Sequence, residues 1–345
     1  MDVSLTEEQR EWQTAVSRLA AAHATTAADL IHLDEVVGWA DVLALGVPML
    51  RSPALSGVDA AAVESVLAVE QAARHLSALP VLGQGVVAPE LLEAAGAAVA
   101  LEAVAEGSMR VAPALTADLS RLATRGEAAV AFDAAGATHA LLVEAADGNQ
   151  RLVAVELDDT QQDGLDLTRR LVPIEADAPA SSLDLGGPIA SDRLCRAQAL
   201  SLTAIAADLL GVMDGAVADA VAYALDRHQF DVPIGSFQAV QHLLADAAVL
   251  VEGARSCVWH AAWSSDHDDP ADALLAARTA KAYAAAGGLK AIEAAVQVFG
   301  GIAITWEHLS HLRLRRALLD RAAFGDEHAQ HRAIAVARIA QGEVD

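Results

Sequence analysis

The feature that most constrains this chain is a long apolar segment, residues 200–225, which is apolar on nearly every face of a helix. Such a helix is expected to lie buried between neighbouring helices or subunits, because no face of it suits water. Helical patterns continue in four further segments, residues 238–262, 270–299, 309–323 and 327–340. Asp269 and Pro270 are typical of an N-cap and a first helical position. Residues 193–345 are therefore predicted to form a bundle of long antiparallel helices.

The N-terminal part, residues 1–107, is also predicted to be helical, with short connections between the helices. Thr6 and Gln9 have the spacing of a capping box, and Trp12 and Val16 then recur on one helical face. We predict a small helical domain here.

Residues 108–192 show a different pattern. The run LLVEAADGNQRLVAVEL places two aliphatic segments on either side of a turn at residues 147–149, which predicts a β-hairpin. Weaker strands are predicted at residues 128–132 and 169–176. Only 3% of the residues are aromatic and alanine is abundant, so strands should be the minority. The predicted fold class is mainly α, with a small, shortened β domain between two helical parts.

The chain is strongly acidic, with 23 Lys and Arg against 47 Asp and Glu, a formal net charge of -24. This charge repels phosphate backbones and anionic lipid surfaces, so we predict neither nucleic acid nor membrane as a partner. The N-terminal sequence does not suit a signal peptide, and no uncharged apolar run reaches membrane-spanning length. Cys195 and Cys257 lack a CxxC spacing, which favours packing roles in a reducing compartment. A cytoplasmic protein is expected.

Two stretches interrupt the helical pattern of the C-terminal part. The first, RHQFDVPIGSFQ, spans residues 227–238, and the second, QVFGGIAITWEH, spans residues 297–308. Gly300 and Gly301 remove two side chains where a backbone could approach a ligand closely, and Gln297 lies one helical turn earlier. A structural interpretation is also open for both stretches: an interhelical turn closed by a phenylalanine, and a helix that ends on glycine.

In their residue types and in their order along the chain, these stretches resemble the cofactor-binding motifs of the acyl-CoA dehydrogenase family. The residues that match the two family patterns, R-x-x-F-G-x-x-I/L-x-x-x-Q and Q-x-x-G-G-x-G, are Arg227, Phe230, Ile234, Gln238, Gln297, Gly300 and Gly301. Asp231 replaces the glycine of the first pattern, and Ala303 replaces the last glycine of the second. The segments SLTEEQREW and VEQAARHLSALPVL resemble the family's N-terminal part, so the resemblance covers most of the chain.

The resemblance implies an FAD bound at a subunit interface, in a fold made of a helical domain, a middle β domain and a C-terminal four-helix bundle. The flavin ring would lie on one subunit's middle domain, and the neighbour's bundle would hold the adenosine diphosphate half. By position, Arg227 would pair with the diphosphate and Phe230 would pack near the flavin or the adenosine. Gln297 and the two glycines would supply donors at the other end. The predicted cofactor-binding residues are Arg227, Gln229, Phe230, Ile234, Phe237, Gln238, Gln297, Gly300 and Gly301.

The same resemblance places a catalytic glutamate at one of two positions, and neither position has one. The base would remove the α proton of an acyl-CoA while the β hydride passes to the flavin. Phe324 or Gly325 falls at the first position, and Ser201 falls at the second. We therefore predict no catalytic residue in this chain. Asp326 and Glu327 stay open as candidates under a shifted alignment, and no metal site is predicted.

A further family motif, T-E-P-x-A-G-S-D, lines the flavin in the middle domain and has no counterpart between Val111 and Leu194. A chain with the adenosine-side motifs alone resembles the short subunit of bacterial steroid-degrading α2β2 acyl-CoA dehydrogenases. This implies a full-length partner that supplies the base, a steroid side-chain CoA thioester as substrate, and electron-transferring flavoprotein as acceptor. Two alternatives stay open: a self-sufficient homomeric dehydrogenase that uses Asp326 or Glu327, and a non-enzymatic binding or structural protein on this fold.

Three smaller patterns are given structural interpretations. Two H-x-x-H pairs, His308 with His311 and His328 with His331, are predicted to be surface histidines, because glutamates at di-iron offsets are missing. The arginines in the run LRLRRALLDR are predicted either to meet a CoA or FAD phosphate or to form a solvated face paired with carboxylates. The acidic run DHDDP is attributed to helix capping rather than to calcium.

Overall fold

The computed structural model describes residues 4–26, 38–58, 61–146, 148–158, 164–340 and 342. Helices come first, a five-stranded sheet follows, and long helices complete the chain. The predicted fold class, mainly α with a small β domain, is confirmed.

The N-terminal helices are short. They are α1 (Glu7–Ala22), α2 (Trp39–Ala44), α3 (Pro53–Ser56), α4 (Ala62–Arg74), α5 (Ala88–Ala95) and α6 (Ala98–Glu106). The predicted capping box at the start of α1 is confirmed: the Gln9 N–H donates to Thr6 Oγ1 over 3.2 Å, and the Thr6 N–H donates to Gln9 Oε1 over 3.1 Å. Most residues of α4 are buried, which makes this helix the main contact of the N-terminal part with the bundle.

The middle part is a mixed sheet with the strand order β4-β3-β1-β2-β5. The strands are β1 (Val111–Thr116), β2 (Ala129–Phe132), β3 (His139–Ala146), β4 (Asn149–Glu156) and β5 (Leu171–Ile174). Strands β1 and β3 run parallel, and the other neighbours are antiparallel. The predicted hairpin is β3 with β4, in which His139 lies opposite Glu156, and the predicted turn residue Asp147 lies outside the described residues. The two weaker predicted strands are confirmed as β2 and β5.

The C-terminal part is built around one long helix whose middle section is enclosed. The helices are α7 (Ser191–Asp226), α8 (Gln238–His267), α9 (Pro270–Phe299), α10 (Ser310–Ala322) and α11 (Glu327–Ala340). Every residue from Ala199 to Met213 is buried, which confirms the predicted burial over this part of the helix, whereas Val221 and Leu225 near its C-terminal end are exposed. Helix α8 continues five residues beyond its predicted end. Asp269 is the N-cap residue of α9 and Pro270 its first residue, as predicted, although the Asp269 side chain makes no capping hydrogen bond.

The acidic run before α9 connects the bundle to the N-terminal part. Asp266 accepts hydrogen bonds from Arg51 over 2.7 Å and from the backbone N–H of Ala62 over 2.8 Å. Ala62 is the first residue of α4, so Asp266 satisfies an otherwise unpaired donor at the start of another helix. The capping interpretation of this run therefore holds for a neighbouring helix.

Two helical segments, Ser191–Asp226 and Pro270–Ile304, are long and apolar enough to cross a membrane by length and composition, although the sequence predicts no such segment. In the first, 89% of the most apolar window is buried inside the protein, and in the second the share is 44%. Most of the apolar window of α7 is thus buried by contacts within the chain.

Candidate functional site

Helices α7 and α9 run in the same direction, so their C-terminal ends meet. Near their beginnings, Cys195 Sγ lies 3.2 Å from the carbonyl oxygen of Pro270. Near their ends, the rings of Tyr223 and Phe299 are 5.1 Å apart between centroids. Arg227 follows Tyr223 by one helical turn, and Gly300 follows Phe299 directly. The two sequence stretches, residues 227–238 and 297–308, therefore lie side by side at what we call the clamp end of the bundle.

The first stretch folds into a two-residue hairpin. His228–Gln229 pairs with Val232–Pro233, and the Ile234 N–H donates to the Arg227 carbonyl over 2.8 Å. Between the strands, Phe230 and Asp231 have φ values of 55° and 61°. Positive φ at both central residues is the requirement of a type I′ turn, which suits the twist of a hairpin.

The hairpin presents an aromatic side chain to solvent. Phe230 is 88% exposed, and its ring stands edge-on to that of Phe237 at 6.3 Å. Ile234 by contrast packs against the bundle core. A large apolar side chain this exposed, held at positive φ, makes the hairpin a candidate contact surface.

Polar side chains at the clamp end are left without partners inside the chain. Among the described residues, none makes a side-chain hydrogen bond or ion pair with Arg227, Gln229, Gln238 or Gln297, and all four are exposed. Their hydrogen-bonding capacity is therefore available to a ligand or to another subunit.

The glycines of the second stretch leave open space above the backbone. Gly300 has a φ of 66°, and a Cβ added at Gly300 or Gly301 would meet no atom within 4 Å. The 3-10 helix Gly300–Ile304 and the residues just after it then expose apolar side chains, with Ile304 at 82% and Trp306 at 52%. The open backbone and these side chains lie on the same loop.

The position where the resemblance places a catalytic base is closed. Phe324 is buried, with a φ of 58°, and its N–H donates to the carbonyl of Leu119 in the middle part over 2.7 Å. Its carbonyl accepts from Gln330 over 2.6 Å. The next carbonyl, of Gly325, accepts from the buried Lys281 ammonium over 3.0 Å. Burial lowers the pKa of Lys281 to about 7. We call residues 323–326 the sealed turn.

The other candidate positions for a base have structural partners. Arg321 holds Glu327 through both of its carboxylate oxygens, and these hydrogen bonds lower the pKa of Glu327 to about 2. Asp326 accepts the Ala329 N–H over 2.9 Å at the start of α11. Ser201 is fully buried and donates to the Ala197 carbonyl over 2.7 Å. A carboxylate with a pKa this low is a poor proton acceptor.

A buried group of charged residues joins the three parts of the chain and was missed from the sequence. Its members, which we call the charge cluster, are Asp133, Asp166, Arg169, Asp208, Arg316 and Asp320. Arg169 donates to Asp208 over 2.8 Å, and Arg316 donates to both oxygens of Asp208 over 2.7 Å. Arg316 also donates to the Ser77 carbonyl of the N-terminal part over 2.9 Å. The four-residue spacing of Arg316 and Asp320 was the available signal.

Two members of the arginine run on α10 do not lie on a solvated face. Arg313 and Arg316 are buried, and Arg313 pairs with Asp219 over 2.8 Å. The prediction of a solvated face was wrong for these two residues, whereas the predicted pairing with carboxylates is confirmed. Arg321 is bound by Glu327, and Arg315 donates to the Leu165 carbonyl over 3.2 Å.

Within the charge cluster, Asp320 differs from its neighbours. Neither carboxylate oxygen of Asp320 accepts a hydrogen bond from an N–H or hydroxyl group. The nearest cation, Arg169, is 3.6 Å away. Burial and the adjacent Asp208 raise the pKa of Asp320 well above its ordinary value. Burial alone would raise the pKa of Asp208 too, but Arg316 and Arg169 outweigh it and lower that pKa. The two acids therefore share one proton, held on Asp320.

The two histidine pairs lie in different surroundings. His328 and His331 are exposed, whereas His308 and His311 are partly buried against Phe299 and Trp306. No group of three or more His, Cys, Asp or Glu side chains in the described part of the chain could hold a metal ion.

Comparison with known proteins agrees with this architecture. The family model described as acyl-CoA dehydrogenase, C-terminal domain, matches residues 200–339. Acyl-CoA dehydrogenase IpdE2 of Mycobacterium tuberculosis is 31% identical over 322 residues, which are 90% of this chain and 91% of that protein. Acyl-CoA dehydrogenase FadE34 of the same species is 37% identical over 190 residues, but the match spans only 25% of FadE34.

Two solved structures share the fold over nearly its whole length. The steroid ACAD Tcur3481-Tcur3483 has a TM-score of 0.81 at 24% identity, with 98% of this chain and 99% of that chain covered. The ChsE4-ChsE5 complex from Mycobacterium tuberculosis has a TM-score of 0.80 at 23% identity, with 99% of each chain covered. Together with the near full-length match to IpdE2, the order of parts and the placement of the two motifs, these findings establish that the chain belongs to the acyl-CoA dehydrogenase family.

Proposed function

We propose that this chain is one subunit of a heteromeric acyl-CoA dehydrogenase and holds the adenosine diphosphate half of the FAD, while a full-length partner subunit supplies the base. Members of the family are FAD-dependent oxidoreductases. When bound, FAD supplies the acceptor for the β hydride of the acyl-CoA, which leaves an α,β-unsaturated thioester. The residues present fit the adenosine diphosphate end of such a ligand: an unpaired guanidinium, unpaired amides and an open glycine backbone lie together.

The sealed turn carries the proposal. A catalytic base must reach the α carbon of the substrate, so it needs an opening between the middle part and the bundle. Here the Phe324 N–H is bonded directly to the Leu119 carbonyl across that boundary, and Phe324 is 8% exposed. A chain with an exposed cofactor end and a closed base position suits the supporting half of an unequal pair.

Each clamp-end residue has a physical task in this proposal. The Arg227 guanidinium binds two phosphate oxygens at once, because its planar fork matches their spacing. The backbone at Gly300 and Gly301 approaches the ligand closely, since no side chain intervenes. Gln229, Gln238 and Gln297 supply amide donors and acceptors, and Phe230 packs on a ring of the cofactor. Ile234 packs against the bundle core, and the ring of Phe237 contacts that of Phe230.

The proposed partners follow from the surface and from the relatives. Exposed apolar side chains concentrate at the clamp end, including Phe230 and Ile304, and a second subunit would cover them. Two similar structures are described as two-component proteins, one of them as a steroid ACAD. We propose an α2β2 heterotetramer acting on the CoA thioester of a steroid side chain in the cytoplasm. Electron-transferring flavoprotein is the proposed acceptor.

The proposal is tested by purifying the chain alone and with candidate full-length subunits from the same genome, and by measuring FAD through its absorbance. We expect colourless, inactive protein from the chain alone and yellow, active protein from the correct pair. Yellow, active protein from the single chain would overturn the proposal. Loss of that activity in Asp326→Ala or Glu327→Ala would then assign the base to this chain.

A matched variant pair locates the cofactor at the clamp end. In the assembled protein, Arg227→Ala and Gly301→Ala are expected to lower FAD retention, because one removes a phosphate partner and the other inserts a methyl group. Gly301 lacks the positive φ of Gly300 and has open space around it, so Gly301→Ala should change the free energy of unfolding by less than about 0.5 kcal/mol. Unchanged FAD retention in both variants would place the cofactor elsewhere.

A further inference from the structure

The loop that follows Gly301 returns to the helix it left. The Thr305 N–H donates to the Ile302 carbonyl over 3.1 Å, and the His308 N–H donates to the Thr305 carbonyl over 3.3 Å. The imidazole of His308 then meets the ring of Phe299 edge-on, with 4.4 Å between centroids. These contacts fix His308 beside Phe299, the residue that immediately precedes Gly300.

The same ring contacts connect His308 to the other motif. Phe299 lies between His308 and Tyr223, and its centroid is 5.1 Å from that of Tyr223. Tyr223 precedes Arg227 by one turn of α7. Three rings in contact therefore set the spacing between the His308 imidazole and the helix end that carries Arg227.

The hydrogen bonds of His308 define which ring nitrogen carries the proton. The backbone N–H of Ser310 donates to Nδ1 over 3.2 Å, and the Ser310 hydroxyl lies 2.7 Å from the same nitrogen. Since a backbone N–H can only donate, Nδ1 is the acceptor and the neutral ring carries its proton on Nε2. Burial lowers the pKa of His308, with Asp219 opposing and His311 and Arg313 adding to the effect, which favours the neutral ring.

The Nε2–H of His308 has no acceptor within the part of the chain that the structure describes. Its neighbour His311 differs, because the Nε2 of His311 lies 3.1 Å from the Trp306 carbonyl. His308 thus presents an oriented, neutral donor at the clamp end.

We infer that His308 is an additional cofactor-binding residue, whose Nε2–H donates a hydrogen bond to a phosphate oxygen of the adenosine diphosphate group beside Arg227. This inference rests on the proposed function. Its ligand chemistry is an adenosine diphosphate, which occurs in FAD and, with a further phosphate, in coenzyme A.

The first test follows the histidine ring directly. The full chain labelled with 15N-histidine is titrated with ADP, and long-range 1H–15N spectra report each ring nitrogen, with His308 assigned from His308→Gln. We expect the Nε2–H form in the free chain and a shift of the His308 signals with ADP but not with FMN. Exposed His331 on α11 should not respond. An Nδ1–H ring, or a larger response to coenzyme A than to FAD at equal concentration, would overturn the inference.

The second test separates the inference from the proposed function. His308→Phe retains a ring against Phe299 but removes the donor, and should weaken ADP binding roughly tenfold. His308→Gln places an amide near the position of Nε2 and should lose about threefold or less. If Arg227→Ala weakens binding and His308→Phe does not, the inference fails while the proposed function stands. If neither change weakens binding, the proposed function fails.

Where the isolated chain binds ADP too weakly for a titration, the same variants are compared in the assembled complex by the FAD retained through gel filtration. Lower retention in His308→Phe than in the His331→Phe control supports the inference. Equal retention in the two variants contradicts it.

Discussion

At the scale of single residues, Asp320 shows how a buried acid makes stability depend on pH. Its folded-state pKa is raised by burial and by Asp208, so the folded protein holds this proton more tightly than the unfolded chain does. The contribution of Asp320 is therefore fully present below its unfolded pKa of about 4 and is lost as pH rises through the folded value.

We expect Asp320→Asn to remove this dependence, because an amide donates to Asp208 at any pH. Chemical denaturation at about pH 5 and about pH 7 gives the free energy of unfolding of the variant and of the wild type. The change in their difference between the two pH values measures the contribution of Asp320. The exposed Asp246 on α8 provides the control substitution, Asp246→Asn. Equal pH slopes for Asp320→Asn and wild type would show that the two acids do not share a proton.

Lys281 is expected to act in the opposite direction. Burial lowers its pKa from 10.5 to about 7, so the folded protein releases this proton before the unfolded chain does. The free energy of unfolding should therefore rise between about pH 7 and about pH 10 through this group. Lys281→Met should flatten that rise, whereas the exposed Lys290→Met on the same helix should keep it. A rise of equal size in both variants would contradict the assignment.

At the scale of elements, the hairpin at residues 228–233 has a turn that its sequence does not favour. Type I′ turns prefer Asn-Gly or Asp-Gly, but here Phe230 and Asp231 adopt the positive φ values. Asp231→Gly should raise the free energy of unfolding by up to about 1 kcal/mol, because glycine adopts this conformation without strain. Asp231→Ala should lower it by a similar amount. Thermal or chemical unfolding of the two variants decides, and the same sign for both would exclude turn strain as the cause.

The elements were largely predictable, and the exceptions have identifiable reasons. Long helices follow from apolar periodicity, and Pro270 and the capping box at Thr6 mark their starts because these signals act locally. The hairpin after Arg227 was not predicted as a hairpin, since Phe-Asp is not a turn signal. The role of Asp266 was invisible for a different reason: its partners Arg51 and Ala62 are about two hundred residues away in sequence.

At the scale of the whole molecule, Arg169 joins the sheet to the bundle. It lies within 3.4 Å of Asp133 in the middle part and donates to Asp208 on α7, and every member of this group is buried. Arg169→Met should lower the free energy of unfolding by about 3 to 5 kcal/mol, because it leaves buried carboxylates without their counter-charge.

The exposed ion pair of Arg121 with Glu127 gives the matched control. Arg121→Met also removes a two-pronged arginine contact, but in solvent, and should cost about 1 kcal/mol or less. Denaturation curves of both variants measure the difference. Similar losses would mean that the charge cluster does not stabilise the junction between the parts.

The candidate site was predictable only in part. Arg227, Phe230, Gln297 and the two glycines stand in motifs that sequence alone can match, and the parallel course of α7 and α9 brings these motifs together as the resemblance requires. The charge cluster and the closure at Phe324 depend on contacts between distant residues, such as Leu119 with Phe324, which no local pattern encodes.

Helices α8 and α9 are 30 residues each, so the polypeptide departs from Arg227 and comes back to Gly300 over paths of equal length, about 45 Å in each direction. The equal lengths of α8 and α9 therefore set the position of Gly300 relative to Arg227. Removing one turn from α8 alone would shift Gly300 about 5.4 Å along the bundle axis relative to Arg227. Homologues in which α8 is shorter or longer should therefore have a deletion or insertion of the same size in α9.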